Sequence, residues 1–244
     1  MSVEFIAASS EYLTCGSDAS VDDIAVKTIV AWICPDDVSA DQNILTKGKA
    51  GTNTGWAFLC YDQAGTSDYV LRLTEGWADA FGGWSTDNTF SYGTLYHVAV
   101  VYDSGATANN PVFYVSGAVE ANTESNTPAG AHGSDAATTL LVGAHADLSA
   151  AFFDGKIEDI RLFNRALSTE EITGLAAGYR GPVGGEIMWL SLCEARGVSG
   201  GFEAASLANG TNLCPDLSTN TNDGDPTNTP TGRASKVPRY GVAV

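Results

Sequence analysis

FDGKIEDIRLFNRALSTEEITGLAAG, residues Phe153 to Gly178, reads as a strand, a turn and a capped helix in one run. Alternation from Ile157 to Phe163 sends successive side chains to opposite faces of a strand. Ile160 and Leu162 then share one face, and Asp159 and Arg161 the other. An arginine flanked by carboxylates is read as a structural ion pair. Asn164 and Arg165 turn the chain so that Leu167 packs inward. Ser168 with Glu171 three residues later makes a capping box, and Glu170 and Glu171 lie where a helix dipole favours negative charge. Ile172, Leu175 and Ala176 form one apolar helix face, and Gly178 is a stop. So short a helix is expected to lie across an edge of the structure.

Upstream, β-prone runs recur at regular intervals with turn residues between them. They are Val3–Ala7, Lys27–Cys34, Asn43–Thr46, Gly55–Tyr61, Tyr69–Leu73, Leu95–Tyr102, Pro111–Val115 and Thr139–Gly143. The links are short, which favours antiparallel pairing, and Ser116–Gly117 is read as a hairpin turn. Downstream, Glu186–Cys193 is one more strand, and Gly197–Asn228 is rich in Gly, Asn, Thr, Asp and Ser and is expected to be mostly loop. With 244 residues, this points to one all-β antiparallel sandwich with a single short helix.

Three blocks carry a family resemblance. The Phe153–Gly178 run resembles the closing signature of laminin-G-like, concanavalin A-like domains. KTIVAWICPDD followed by ILTKG resembles the early strands of that family. LYHVAVVYD followed by VFYVSGAVE resembles its central hairpin, with Ser116 where the family usually has Asn. The resemblance covers about residues 3–178 and implies a jelly-roll sandwich. EIMWLSLCEA followed by CPDLSTNTNDG resembles a segment that often precedes such a domain, yet here it follows. We expect residues 1–180 to form the sandwich and 181–232 to complete it. Residues 233–244 would form a basic tail.

Composition narrows the function. The net charge of −17 opposes a phosphate backbone, so nucleic acid is not expected as a partner. No apolar run reaches membrane-spanning length. The start, MSVEFIAASSEYLTCG, lacks the pattern of a secretory signal, which predicts cytoplasmic synthesis. Five cysteines, Cys15, Cys34, Cys60, Cys193 and Cys214, are read mostly as buried thiols, with Cys193 and Cys214 the pair to consider if one exists. The last twelve residues hold Arg233, Lys236 and Arg239 and no acid. They read either as an ordinary tail or as an arm that docks on an acidic neighbour, such as a second copy.

Some relatives on this fold cleave polysaccharides with an E-x-D-x-x-E pair of acids on one strand face. No such run is present. Glu158 and Asp159 are adjacent, so a regular strand would point them apart, and His97 lies in an apolar strand where a structural role is expected. The chain is therefore read as non-catalytic.

Binding has more support. Trp77, Phe81 and Trp84 cluster in a glycine-rich segment with Tyr92 nearby, and exposed rings can stack on sugars or anchor a protein. Trp32 and Trp56 are read as core. The family resemblance adds calcium as a cofactor expectation, with Asp62, Asp68, Asp154 and Asp159 as candidate ligands and Asp216 and Asn220 in the late loop. The first functional reading is a binding or structural protein on a virus particle, such as a phage capsid decoration or adhesion protein. It would assemble in the cytoplasm onto virion proteins or with copies of itself, a trimer being one such assembly. The alternative is a carbohydrate-binding lectin module of a cellular or extracellular protein. A glycoside hydrolase or lyase ranks last.

Overall fold

The computed structural model describes residues 2–48, 53–192, 214, 216–220, 222–228 and 230–233. Two antiparallel sheets stack face to face. The first is built around β3 (Val26–Pro35), β9 (Tyr96–Asp103) and β14 (Gly155–Phe163). Beyond β9 lie β10 (Val112–Val115) and β11 (Ala118–Glu120). Beyond β14 lie β1 (Ser2–Phe5), β15 (Glu186–Leu190) and β17 (Thr231–Arg233). The second sheet centres on β4 (Gln42–Lys47), β5 (Trp56–Asp62), β6 (Asp68–Glu75) and β7 (Gly82–Thr86). It is completed by β2 (Tyr12–Thr14), β8 (Phe90–Ser91), β12 (Asn122–Asn126), β13 (Leu140–Val142) and β16 (Asp225–Thr227).

The core follows strand alternation. Ile29, Ala31 and Ile33 of β3 face inward, as do Trp56, Phe58 and Cys60 of β5 and Leu71 and Leu73 of β6. Ile160 and Leu162 of β14 join them on the shared face read from the sequence, and Ile157 joins too, brought round by the irregularity at Asp159. The outer face of the first sheet is also apolar around Val30, Ala99, Tyr114 and Phe163. Helix α1 (Thr169–Ala176) covers that patch with Ile172 and Leu175. The helix therefore lies on a sheet face, not across an edge, because that patch would otherwise meet water. Its capping box is formed as read: Ser168 accepts from the Glu171 amide, and the Glu171 carboxylate accepts from the Ser168 amide.

Asp159 departs from a regular strand. The register of β14 against β3 shifts between Glu158 and Arg161, and Asp159 has φ 50°. On its other edge β14 changes partner here, from β1 at Ile157 to β15 at Ile160. This bulge corrects the expectation that Glu158 and Asp159 point apart. Both carboxylates meet Arg180, at 2.8 Å and 3.3 Å.

The late segment adds strands to both sheets. β15 pairs with β14 and β16 pairs with β2. Asp216 organises the link: Oδ1 accepts from the amides of Trp189 and Ser218, and Oδ2 accepts from the Asn222 amide and the Ser218 hydroxyl. Arg233 ends β17, opposite Ser2, so the chain is still paired in the sheet where a tail was expected to begin. Lys236, Arg239 and Cys193 lie outside the described residues.

Candidate functional site: an open face on the second sheet

Because Trp56, Phe58 and Cys60 point into the core, Ala57, Leu59 and Tyr61 point out. Register carries this pattern across the sheet. Leu59 is opposite Arg72, and Arg72 is opposite Ser85. Ala57 is opposite Thr74, and Thr74 is opposite Gly83. Ala57 and Thr74 are small, so this outer face has a low floor beside them, while Arg72, Ser125 and Asn126 close over Gly83. Larger side chains rise at its margins: Tyr61, Arg72, Phe81 and His145. Together they bound a cleft of about 230 Å³, with Asp41 and Asn43 on the floor side. A second hollow of about 450 Å³ lies beside Tyr12, Thr14 and Leu141 on the same face. The loop His145–Ala151 contributes walls to both.

The polar groups of the cleft are held unevenly. Asn43 is fixed: its Nδ2 donates to the Ala151 carbonyl at 3.1 Å, and its Oδ1 accepts from Thr46 at 3.0 Å. His145 Nδ1 sits 2.9 Å from an Asp147 carboxylate oxygen. The Asp41 carboxylate accepts from the Asp62 amide at 3.0 Å, and burial raises its pKa above the usual carboxylate range. The Arg72 guanidinium stacks on Tyr61 at 4.7 Å. Its Nη2 reaches Ser125 Oγ at 3.3 Å and Asn126 Oδ1 at 3.5 Å, while its Nε is buried without an acceptor.

The four rings expected to form a binding surface separate. Trp84 is fully buried, 5.0 Å from Tyr102 in the core, and its Nε1 donates to Asn110 at 2.7 Å. Trp77 is buried and meets His132 edge-on. Tyr92 packs on Tyr69 and donates its hydroxyl to Asp62 at 3.0 Å. Phe81 alone of the four lines the cleft, half-buried. The expectation of exposed rings at Trp77 and Trp84 is thus corrected. Gly82 explains why: a Cβ there would fall 2.2 Å from the Trp84 ring, so this glycine seats the indole against the backbone. Trp32 and Trp56 are buried as read, and so is His97.

The acids considered for calcium each have their own donor. Asp62 has Tyr92, Asp68 has the Ser91 hydroxyl, Asp154 has the Ala7 amide and Asp159 has Arg161. Among the described residues, no three His, Cys, Asp or Glu side chains converge as a cation site requires. These four carboxylates are thus engaged singly by protein donors and do not share a site.

Two stacked antiparallel sheets, one face sealed by a helix and the other open over a shallow cleft, define a jelly-roll β-sandwich. The sequence matches the family described as the concanavalin A-like lectin/glucanases superfamily over residues 8–173. The chain belongs to that superfamily. A search of curated proteins finds no match. Among solved structures, a protein from Bacteroides ovatus to which carbohydrate binding is attributed aligns over 98% of this chain at TM-score 0.66 and 16% identity. The chain spans 61% of that protein's length. The tailspike protein 2 enzymatically active domain of bacteriophage CBA120 aligns at TM-score 0.53 and 12% identity, over 78% of this chain and 31% of its own. The CBM40 of a Ruminococcus gnavus sialidase, bound to α2,3-sialyllactose, aligns at 0.50 and 15% identity, over 72% and 95%. At these identities the likeness is one of fold.

Proposed function

We propose that this chain is a carbohydrate-binding module that holds a glycan in the open cleft of the second sheet. One observation carries the reading: a floor that includes the small outward residues Ala57 and Thr74 is flanked by the half-buried rings of Tyr61 and Phe81. A pyranose face can stack on such a ring while its hydroxyls meet Asp41 and Arg72. The structural relatives named above include carbohydrate-binding proteins, which supports the same reading. It is a binding function without turnover. Glu158 and Asp159 are buried against Arg180, and Asp159 is also gripped by Arg161, so neither is poised as a general acid.

The test is a glycan array followed by titration with whichever glycan binds. Phe81→Ala and Tyr61→Ala should each weaken binding about tenfold or more while the thermal unfolding midpoint stays near that of the parent. Glycan binding that survives both substitutions would place the ligand elsewhere. An array without any hit would defeat the proposal.

A virus particle remains a second proposed setting, supported by the fold likeness to a phage tailspike domain. It requires the chain to co-sediment with purified particles and to assemble, as a trimer or otherwise, in light scattering. A monomer absent from particles would overturn it.

A further inference from the structure

We propose that the glycan taken by this cleft carries a carboxylate, and that Arg72 is the residue that receives it. This rests on the carbohydrate-binding reading above and adds the substrate class. The chain has 29 acids and 12 bases, so a cation has many chances to find an internal partner. The described basic side chains use them. Lys27 meets Glu75, Lys47 meets Asp22 and Lys156 meets Glu4. Arg161 meets Asp159, Arg165 meets Glu171 and Arg180 meets Glu158. Among the residues whose side chains are described, Arg72 is the one arginine or lysine with no carboxylate within 4 Å; Asp41 acts on it only from farther off.

Its neutral contacts do not satisfy it. Nη2 has only the two long contacts to Ser125 and Asn126, and Nε is buried with no acceptor. Because Nε is sealed from solvent, the outer edge of the guanidinium, Nη1 and Nη2, is the part a ligand can meet. The Tyr61 ring lies 4.7 Å beneath the guanidinium and restrains its plane. A restrained planar fork with open donors matches a carboxylate, which can accept two parallel hydrogen bonds. Asp41 lines the same cleft and would accept from sugar hydroxyls. That acid and the net charge of −17 disfavour a polysulfated chain. The chemistry selected is a sugar with a single acid group among hydroxyls.

The experiment is calorimetric titration with matched disaccharides of glucose, galactose and mannose. Each is offered neutral, with one uronic acid in place of the hydroxymethyl sugar, and with one sulfate. In at least one set the uronic form should bind about tenfold or more tighter than its neutral and sulfated partners. Arg72→Gln should reduce that preference to within about twofold, and Arg72→Lys should keep part of it, since lysine retains the charge without the fork. Thermal unfolding of each variant establishes that it is folded. Equal binding of neutral and uronic forms, a stronger sulfated form, or a preference that survives Arg72→Gln would overturn the assignment. Neutral binding that depends on Phe81 but not on Arg72 would leave the glycan reading intact and remove only the acid class. Absence of binding by every member of every set would remove the acid class, while the glycan reading falls only with an array that has no hit.

Discussion

Arg161 grips Asp159 through two parallel hydrogen bonds, Nε to Oδ1 at 3.1 Å and Nη2 to Oδ2 at 3.0 Å, inside the structure. The Trp189 indole closes over the pair. Its ring lies 4.0 Å from the guanidinium and its Nε1 donates to Asp159 at 2.7 Å. The β-bulge at Asp159 makes room for this knot where β14 exchanges β1 for β15. Removing one partner leaves the other buried with weaker company, Arg180 at 3.3 Å for Asp159 and Glu186 at 3.7 Å for Arg161, so the cost should lie at or below the about 3–5 kcal/mol typical of a broken buried pair. Arg161→Met and Asp159→Ala should each lower the urea midpoint accordingly, and the double variant should lose less than the two losses added. Strict additivity would show that the two side chains act independently.

Trp84 and Phe81 should separate stability from binding. Trp84 is fully buried in the core. Trp84→Ala should cost about 3–5 kcal/mol through lost contacts and the cavity left behind. Gly82→Ala should also destabilise, because its methyl would strike the same indole. Phe81→Ala, at the half-buried margin, should change stability by about 1 kcal/mol or less. Denaturant melts of the three proteins decide the matter. A stable Trp84→Ala protein that has lost only glycan binding would reverse the roles assigned to the two rings.

The turn at Ser116–Gly117 should accept an improvement. Ser116 has φ 51° and Gly117 has φ 85°, so both central residues of the hairpin between β10 and β11 are left-handed. Two-residue turns of this kind favour Asn followed by Gly, because Asn tolerates positive φ better than Ser. Ser116 is exposed, so nothing in the core must move. Ser116→Asn should stabilise the protein by about 0.5 kcal/mol, within the range seen for surface turn optimisation. An unchanged or lower melting temperature would show that the serine hydroxyl matters more than the backbone preference.

The fold was legible because its signals are local. The shared face of Ile160 and Leu162, the capping box at Ser168 and the β-branched run of β3 can each be read within a few residues, whereas Ile157 joins that face only through the bulge at Asp159. The cleft was not legible, because it depends on which sheet face the helix leaves open. Tyr61 and Arg72 read as ordinary strand residues, and only the register of β5 against β6 places Leu59, Ala57 and Arg72 side by side. The segment around Gly82 and Gly83 read as loop because glycine is a poor strand former. In the structure those glycines belong to β7, where the missing Cβ of Gly82 makes space for Trp84. An alternation test on GGWST would have placed Trp84 in a strand, but five residues with two glycines give that test little weight.

His97 should make the protein sensitive to mild acid. It lies in β9, buried, with its ring 5.3 Å from Trp32 and its Nδ1 without a hydrogen-bond partner. Burial pushes its pKa down from 6.5 to about 4, against a smaller opposing pull from Asp159; Arg161 and Arg180 add to the lowering. The unfolded chain therefore binds a proton between pH 6.5 and pH 4 that the folded chain refuses. Stability must fall as pH drops through that window, by roughly 3 kcal/mol from this residue. His97→Phe keeps an aromatic ring against Trp32 and removes the titrating group. Acids such as Glu171, whose pKa is lowered mainly by Arg165, add their own loss at low pH, but they do so equally in both proteins. The difference in unfolding free energy between parent and variant should accordingly shift toward the variant on going from pH 7 to pH 4. Parallel stability curves over that range would mean that His97 is charged, or reached by water, in the folded state.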